Sequence, residues 1–231
     1  MSTKSPDFGQ QVAEFLTSLS VPVFLPQDVG VLQPYTDSEV CRVVRQMCQQ
    51  FYQGGKPRLA LWGINPGRFG AGLTGLSFTD PHAVRHCLQI ESTIHGRREI
   101  SAEFIQLVIE AYGGPSAFYR DVYLSALSPL GFMQGEKNLN FYDSAELQSA
   151  LTTTIQHWVL QQITFGLRQD VTVVLGTGKL KAFFEQHVRA ESGFDSVVFL
   201  EHPRFIMQYR RKHVDSYVEK YVQAIRSCAG L

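Results

Sequence analysis

The chain of 231 residues lacks three things: a long apolar run, an excess of charge of either sign, and a paired cysteine motif. No stretch approaches the roughly 20 apolar residues that span a membrane, and the segment Met1 to Pro6 lacks a basic-then-apolar leader pattern. These absences predict a cytoplasmic protein with no membrane partner. The 44% hydrophobic and 18% charged content is typical of one soluble globular domain with a sizeable core.

The four cysteines, Cys41, Cys48, Cys87 and Cys228, form no C-x-x-C pair and show no metal-ligand spacing. Three of them fall within apolar helical patterns, which is typical of reduced core residues. None of the histidines forms a ligand pair with carboxylates or cysteines. We therefore expect no metal and no organic cofactor.

Basic and acidic residues balance at 21 each, so no overall field attracts a polyanion. The segment from Arg204 to His213 is nevertheless locally basic, and the segment from His95 to Arg98 is a weaker second cluster. A charge cluster is more often a solvated face than a phosphate site. Any nucleic-acid contact must be local to such a segment.

Short apolar runs alternate with helical periodicity after residue 57, which favours a parallel sheet. The prediction is a single-domain α/β protein over 1–231, with three α/β/α layers around a central four-stranded, mostly parallel sheet. Residues 1–57 are expected to form a helical and extended segment packed on that domain. The four predicted strands are Arg58 to Ile64, Asp121 to Leu127, Asp170 to Gly176 and Ser196 to Leu200.

Cap signals predict where several helices begin. Ser5-Pro6-Asp7 is a candidate cap for the first helix, and Thr36-Asp37-Ser38-Glu39 matches a capping box for the second. Asp143, with Glu146 three residues later, predicts the start of a third, and Lys179 to Val188 forms a further one. The segments between strands and helices are then expected to be loops.

If the four strands are parallel, the loops that follow them emerge at the same edge of the sheet, where ligands bind in open α/β folds. Asn65 and His202, remote in sequence, would then face one cleft. The four loops are predicted at Asn65 to Asp80, Ser128 to Tyr142, Gly176 to Lys179 and Glu201 to His213.

Three residues in these loops suggest chemistry. Asn65 lies on a stiff glycine-rich turn and is suited to positioning a water or a sugar atom, although an Asx turn is the ordinary alternative. His202 can donate a hydrogen bond to an oxygen that gains charge, or it can be a structural histidine. Phe78 can stack on a base, or it can belong to the core.

The segment Gly176-Thr177-Gly178-Lys179 resembles a phosphate loop only superficially. The spacing of its glycines and the residue after the lysine do not fit the Walker pattern. What remains is that amides at a helix start, with Lys179 beside them, could bind one backbone phosphate.

The segments Gly63 to Gly70 and Thr74 to Phe78 resemble the first motif of single-strand-selective monofunctional uracil-DNA glycosylases. The Gly-Ile-Asn-Pro-Gly core is also similar to mismatch-specific uracil and thymine glycosylases. Glu99 to Phe132 resembles the family's second strand and its loop, Val173 to Lys179 its third strand, and His202-Pro203 its second motif. The resemblance covers most of the chain after Arg58.

This resemblance implies a glycosylase that flips a base out of DNA and hydrolyses its N-glycosidic bond, without a lysine nucleophile and without strand nicking. It implies that Asn65 orients the attacking water and that His202 stabilises charge on a carbonyl oxygen of the base. It also implies that the Ile64 backbone amide lies near a carbonyl oxygen of the base and that the Phe78 ring stacks on the base. Gly67 would leave the pocket more open than a bulkier side chain does, and Phe69 is a further substrate contact.

The chain departs from the family in two places. Where the family carries a base-reading asparagine, this chain has Ala126, which puts strict uracil recognition in doubt. Either Ser125 or Ser128 could partly substitute, or the pocket could admit a deaminated purine such as hypoxanthine or xanthine. These features suggest a divergent subfamily.

The family's proline-rich wedge is replaced by Arg204-Phe205-Ile206-Met207. We expect Arg204 and Phe205 to fill the gap left by an extruded base. We expect Arg210, Arg211 and Lys212 to contact phosphates.

Two other function classes fit the same residues. One is a non-catalytic nucleic-acid-binding module on the same scaffold, since loss of the base-reading asparagine is compatible with lost catalysis. The other is a binder of small nucleotides or nucleosides that makes no use of the basic segment. The leading interpretation is the repair glycosylase, acting as a monomer with DNA as its partner.

Overall fold

The computed structural model describes residues 7–22 and 24–231. Its strands are short, three to five residues each. Within the described part of the chain the strands are β1 (Gly30–Leu32), β2 (Leu59–Gly63), β3 (Val122–Ala126), β4 (Gly131–Gln134), β5 (Lys137–Leu139), β6 (Val171–Leu175) and β7 (Ser196–Leu200).

The helices carry most of the remaining chain, together with 3-10 turns at Pro34–Thr36 and Arg211–His213 and a π-helical turn at Phe184–Val188. The α-helices are α1 (Phe8–Thr17), α2 (Ser38–Phe51), α3 (Ala71–Thr74), α4 (Pro81–His86), α5 (Ile100–Tyr112), α6 (Pro115–Asp121), α7 (Ala145–Ile163), α8 (Lys179–Phe183), α9 (Arg189–Ser192), α10 (Pro203–Tyr209) and α11 (Val214–Ala229).

The central sheet has four strands in the order β3-β2-β6-β7, and every pair is parallel. Helices flank it: α11 contacts β2 and β6, and Gln162 of α7 reaches the Tyr123 hydroxyl of β3 at 2.8 Å. The predicted α/β fold is therefore confirmed, and each strand lies within two residues of its predicted ends. Continuous apolar runs marked these strands because both faces of a helix-covered sheet are buried.

A second, smaller sheet was not predicted. Strands β1, β4 and β5 form an antiparallel sheet, and it occupies segments that the sequence suggested were an extended stretch and a loop. Its strands are only three or four residues long, too short to show a clear alternation. The hairpin from β4 to β5 turns at Gly135, whose φ of +55° suits glycine.

Several helix ends differ from the predicted ones. Asp37 alone caps α2 through the Glu39 amide, at 2.7 Å, and the predicted capping box is not formed. The cap of α7 is Ser144, not Asp143. At the start of the chain Asp7 caps α1, and the predicted cap residues Ser5 and Pro6 lie outside the described residues.

The segment from Glu201 to His213, predicted as a loop, is mostly helical. Pro203 takes the first position of α10, where its missing N–H costs no hydrogen bond, and His202 caps the helix. The sequence did not predict this helix because the segment is rich in basic residues. Only Pro203, Ile206 and Met207 of α10 are buried, which is too few for a clear helical period. In the described portion, no helix has both the length and the apolar character that crossing a bilayer would require.

Candidate active site

Two adjoining cavities open at the carboxyl ends of β2, β3 and β7. The inner cavity has a volume of about 50 Å³ and the outer one about 310 Å³. Both are lined by Asn65, Pro66, Gly67, Glu99, Ser101 and His202. The structure thus places Asn65 and His202 in one cleft.

An aromatic ring forms one wall of the inner cavity. A Cβ added to Gly63 would lie 2.6 Å from the ring of Phe78, so only glycine leaves the ring room at the end of β2. Phe78 itself has a φ of +53°, which is unfavourable for a phenylalanine and is found most often at functional sites. Its ring centroid lies 5.9 Å from that of His202. The ring is therefore held beside the imidazole.

The Asn65 carboxamide is clamped by the backbone that follows β5. Its Nδ2 donates to the Leu139 carbonyl at 3.0 Å and to the Pro66 carbonyl at 3.2 Å, and its Oδ1 accepts from the Phe141 amide at 3.0 Å. Both amide hydrogens are thereby used, whereas Oδ1 keeps one lone pair. The side chain is fixed and offers a single remaining acceptor position.

His202 is oriented by its own helix. Its Nδ1 accepts from the Arg204 amide at 3.1 Å, so in the neutral ring the proton lies on Nε2. Burial, together with a smaller contribution from the nearby Arg204, lowers the pKa of His202 to about 4. At neutral pH the cleft therefore contains a neutral imidazole whose Nε2–H is available as a donor.

The wall contributed by β3 is apolar at the position where the resembled family carries a base-reading asparagine. Ala126 lines the inner cavity, whereas the hydroxyl of Ser125 donates to Gln162 within the core, because successive side chains on a strand face opposite ways. Ser128 is fully buried and donates to the Leu130 carbonyl at 2.7 Å. These placements contradict the prediction that Ser125, or Ser128 in its place, contacts the base.

Three other predicted contacts lie in or near the cleft. Gly67 lines both cavities and Ile64 lines the outer one. Phe69 lines neither; its ring packs instead under the guanidinium groups of Arg68 and Arg97, at 4.7 and 5.7 Å. The predicted substrate contact by Phe69 is therefore contradicted by its position.

Sequence reasoning missed Glu99 and Ser101, which line both cavities. Glu99 directly precedes α5, far from either recognised motif, and no spacing rule marks it. The missed clamp residues, Leu139 and Phe141, act through their backbone, which leaves no trace in side-chain patterns.

A basic groove lies beside the cavities. We give this name to the open groove of about 760 Å³ formed by residues 208–213 with Ser216, Tyr217 and Lys220. Arg210, Arg211 and Lys212 line it, and Arg211 pairs with Glu103 at 3.3 Å. The groove carries a net positive charge along an exposed surface.

Between the groove and the cleft, Arg204 and the half-exposed Phe205 line the outer cavity. The Phe205 ring lies 5.4 Å from that of Tyr209. Lys179 is exposed at the start of the five-residue α8 and lines neither cavity nor the groove.

Across residues 7–22 and 24–231, no group of three histidine, cysteine or acidic residues could hold an ion. All four cysteines are free, and of these Cys48 is buried.

A fixed carboxamide and a neutral imidazole meet beside an aromatic wall, and a basic groove leads to them. This combination is typical of enzymes that act on a base extruded from a nucleic acid. Comparison with known proteins identifies the family. The family model for the uracil DNA glycosylase superfamily matches residues 50–226.

The crystal structure of wild-type SMUG2 from Pedobacter heparinus is similar to this chain throughout. The TM-score is 0.92 and the identity 35%, covering 97% of this chain and 99% of that chain. The chain belongs to the uracil DNA glycosylase superfamily, and the resemblance found in its motifs is confirmed. It is a DNA glycosylase, a hydrolase acting on N-glycosidic bonds.

The protonation state of His202 can be measured directly. Because burial keeps the ring neutral and the Arg204 amide occupies Nδ1, we expect nitrogen chemical shifts of a neutral, Nε2-protonated imidazole from pH 5.5 to pH 8. Histidine-labelled protein in a long-range nitrogen–proton NMR experiment reports this, and His202→Gln assigns the signal. A signal that titrates between pH 6 and 7 would contradict the assigned environment.

Proposed function

We propose that this protein is a monofunctional DNA glycosylase that removes deaminated bases, uracil first and hypoxanthine or xanthine as further substrates. The observation that carries the proposal is the meeting of Asn65 and His202 in one cleft beside Phe78. Membership in the uracil DNA glycosylase superfamily supports this activity, and the geometry supports the individual roles below.

His202 acts on the leaving base. As the N-glycosidic bond lengthens, a carbonyl oxygen of the base gains negative charge, and the Nε2–H of a neutral imidazole can donate to it. The ring of Phe78 stacks on the flipped base, and the Ile64 backbone at the end of β2 lies beside it. Dispersion and stacking then offset part of the free-energy cost of unstacking the base from the DNA.

Asn65 acts on the water. The clamp leaves one acceptor position on Oδ1, which can hold a water oriented toward the anomeric carbon. An amide is too weak a base to deprotonate this water early, so the sugar must carry substantial positive charge before attack. No lysine lines either cavity in the described structure, which supports hydrolysis without a Schiff base and without strand cleavage.

DNA reaches the cleft along the basic groove. Arg210, Arg211 and Lys212 contact phosphates, and Arg204 with Phe205 occupies the place of the extruded base. Lys179 is a further candidate phosphate contact at the neighbouring strand end.

The choice of base follows from what the cavity lacks. With Ala126 on its wall, the pocket has no base-reading amide from β3, and the space that Gly67 leaves is taken by the Glu99 carboxyl. Such a pocket discriminates weakly between ring systems, because strict recognition needs buried polar groups that a wrong base would leave unpaired. This supports removal of deaminated purines as well as uracil.

Base release is the first test. Labelled oligonucleotides that contain uracil, hypoxanthine or xanthine, single- and double-stranded, are incubated with the protein, and abasic sites are scored by alkali cleavage. We expect release of uracil and of at least one purine, and no nicking before alkali treatment. Tight, salt-sensitive DNA binding without release of any base would instead identify a non-catalytic binding module.

Replacement of Asn65 separates chemistry from binding. Asn65→Ala removes the water-orienting oxygen, so we expect single-turnover base release to fall by about 100-fold or more, with DNA affinity changed only a few-fold. The variant's thermal unfolding is measured in parallel, because the clamp to Leu139 and Phe141 is also lost. A folded variant with near-normal turnover would remove Asn65 from the mechanism.

Neutralisation of the groove tests the DNA path. Arg210→Gln with Arg211→Gln should weaken binding and reduce the slope of log K against log salt by about 0.7 to 0.9 for each lost phosphate contact. Arg45→Gln, an exposed charge on α2 away from the groove, serves as the matched control. An unchanged slope in the double variant would place the DNA elsewhere.

A further inference from the structure

Glu99 presents a carboxyl group to the cleft that the proposed mechanism does not use. It lines both cavities, and its carboxyl lies directly against the glycine-rich loop after β2. A Cβ added to Gly67 would lie 2.8 Å from Oε1, and one added to Gly70 would overlap Oε2. The two glycines therefore leave space that the Glu99 carboxyl occupies.

This carboxyl has no partner within residues 7–22 and 24–231. The hydrogen bond that fixes Glu99 is made by its backbone amide, which donates to Oδ2 of Asp80 at 2.9 Å, while Oδ1 of Asp80 caps α4. No side chain among those residues donates to the Glu99 oxygens or forms an ion pair with them. A polar group left free inside a cleft is available to a ligand.

The surroundings of Glu99 favour its neutral form. Its pKa is raised to about 7, mainly by burial, which Arg204 of α10 opposes and Asp80 reinforces. Of the other titratable groups that line the cavities, His202 is neutral, and Arg204 and Tyr209 lie on the wall of the outer cavity. A base that enters the cavity would exclude more water and penalise the charged form further.

The chemistry of the cleft also favours a neutral acid. The departing base gains negative charge, and a carboxylate confined in the same small cavity would repel it. A neutral carboxyl instead offers an O–H donor. Because Ala126 supplies no polar side chain from β3, the base receives no hydrogen bond from that strand's side chain, and Glu99 can provide a donor instead.

We infer that Glu99 is a substrate-contacting residue whose neutral carboxyl donates a hydrogen bond to the flipped base. The acceptor is a carbonyl oxygen of uracil, or a carbonyl oxygen or ring nitrogen of a deaminated purine. The hydrogen bond strengthens as the glycosidic bond breaks and the base becomes an anion, and no proton need be transferred. This inference rests on the proposed function.

Single-turnover rates at saturating enzyme, on single-stranded uracil and hypoxanthine oligonucleotides from pH 6 to pH 9, test it. The wild-type rate should fall as pH rises through about 7, because the donor is lost as the carboxyl ionises. Glu99→Gln keeps a donor that does not titrate, so its rate should stay within a few-fold of wild type at pH 6 and lose the descending limb. Glu99→Ala should be at least tenfold slower at pH 6.

The control is Glu110→Gln, an exposed acid at the far end of α5, which should follow the wild-type profile. Thermal unfolding of each variant establishes that it is folded. Wild-type rates and pH profile in Glu99→Ala would overturn the inference, as would a rate that rises through pH 7 and vanishes in Glu99→Gln, since the carboxylate would then be the active form. Wild-type protein that releases no base at any pH would overturn the proposed function itself, and this inference with it.

Discussion

The clamp on Asn65 is the interaction on which the site depends. Its carboxamide joins the glycine-rich loop after β2 to the backbone at the end of β5. Nδ2 donates to the Leu139 carbonyl and Oδ1 accepts from the Phe141 amide, each at 3.0 Å. Strand β5 of the small antiparallel sheet supplies Leu139 to this clamp, and the neighbouring Asn138 accepts from the Arg68 amide at 3.2 Å. The clamp fixes the rotamer of Asn65 before any substrate arrives, so little orientational freedom remains to be lost in the reaction.

The polar groups of the cleft share a second property, which is that burial disfavours their charge. His202 is neutral because desolvation and Arg204 lower its pKa, and desolvation raises the pKa of Glu99. A neutral His202 and a Glu99 carboxyl whose raised pKa favours its neutral form suit a base that leaves as an anion, while the proposed phosphate contacts lie outside, on the arginines of the basic groove.

The central sheet could be predicted from the sequence because buried parallel strands appear as continuous apolar runs, and the edge where ligands bind then follows from topology. The pairing of Asn65 with His202 came from the same argument. The features that could not be predicted depend on which way a side chain points from its strand and on strands of only three or four residues. Ser125 and Ala126 are adjacent, and only the register of β3 against β2 shows which of them faces the cavity.

Other features leave weaker traces. The strands of the small sheet are too short for a period, and the backbone groups that clamp Asn65 have no side-chain signature. Glu99 begins the segment that resembles the family's second strand and loop, but no motif gives it a role, and only the folded chain brings it against Gly67 and Gly70. The single-domain assignment of residues 1–231, the phosphate contact of Lys179 and the monomeric state stay predictions.

The most direct test of the account is a crystal structure of the protein bound to DNA that contains 2′-fluoro-2′-deoxyuridine, which resists cleavage. The account predicts the uracil ring stacked on Phe78, a carbonyl oxygen within hydrogen-bond distance of His202 Nε2, and a water on Asn65 Oδ1 facing the anomeric carbon. A base that stays stacked in the DNA strand, or one bound where Asn65 and His202 do not both face it, would contradict the account.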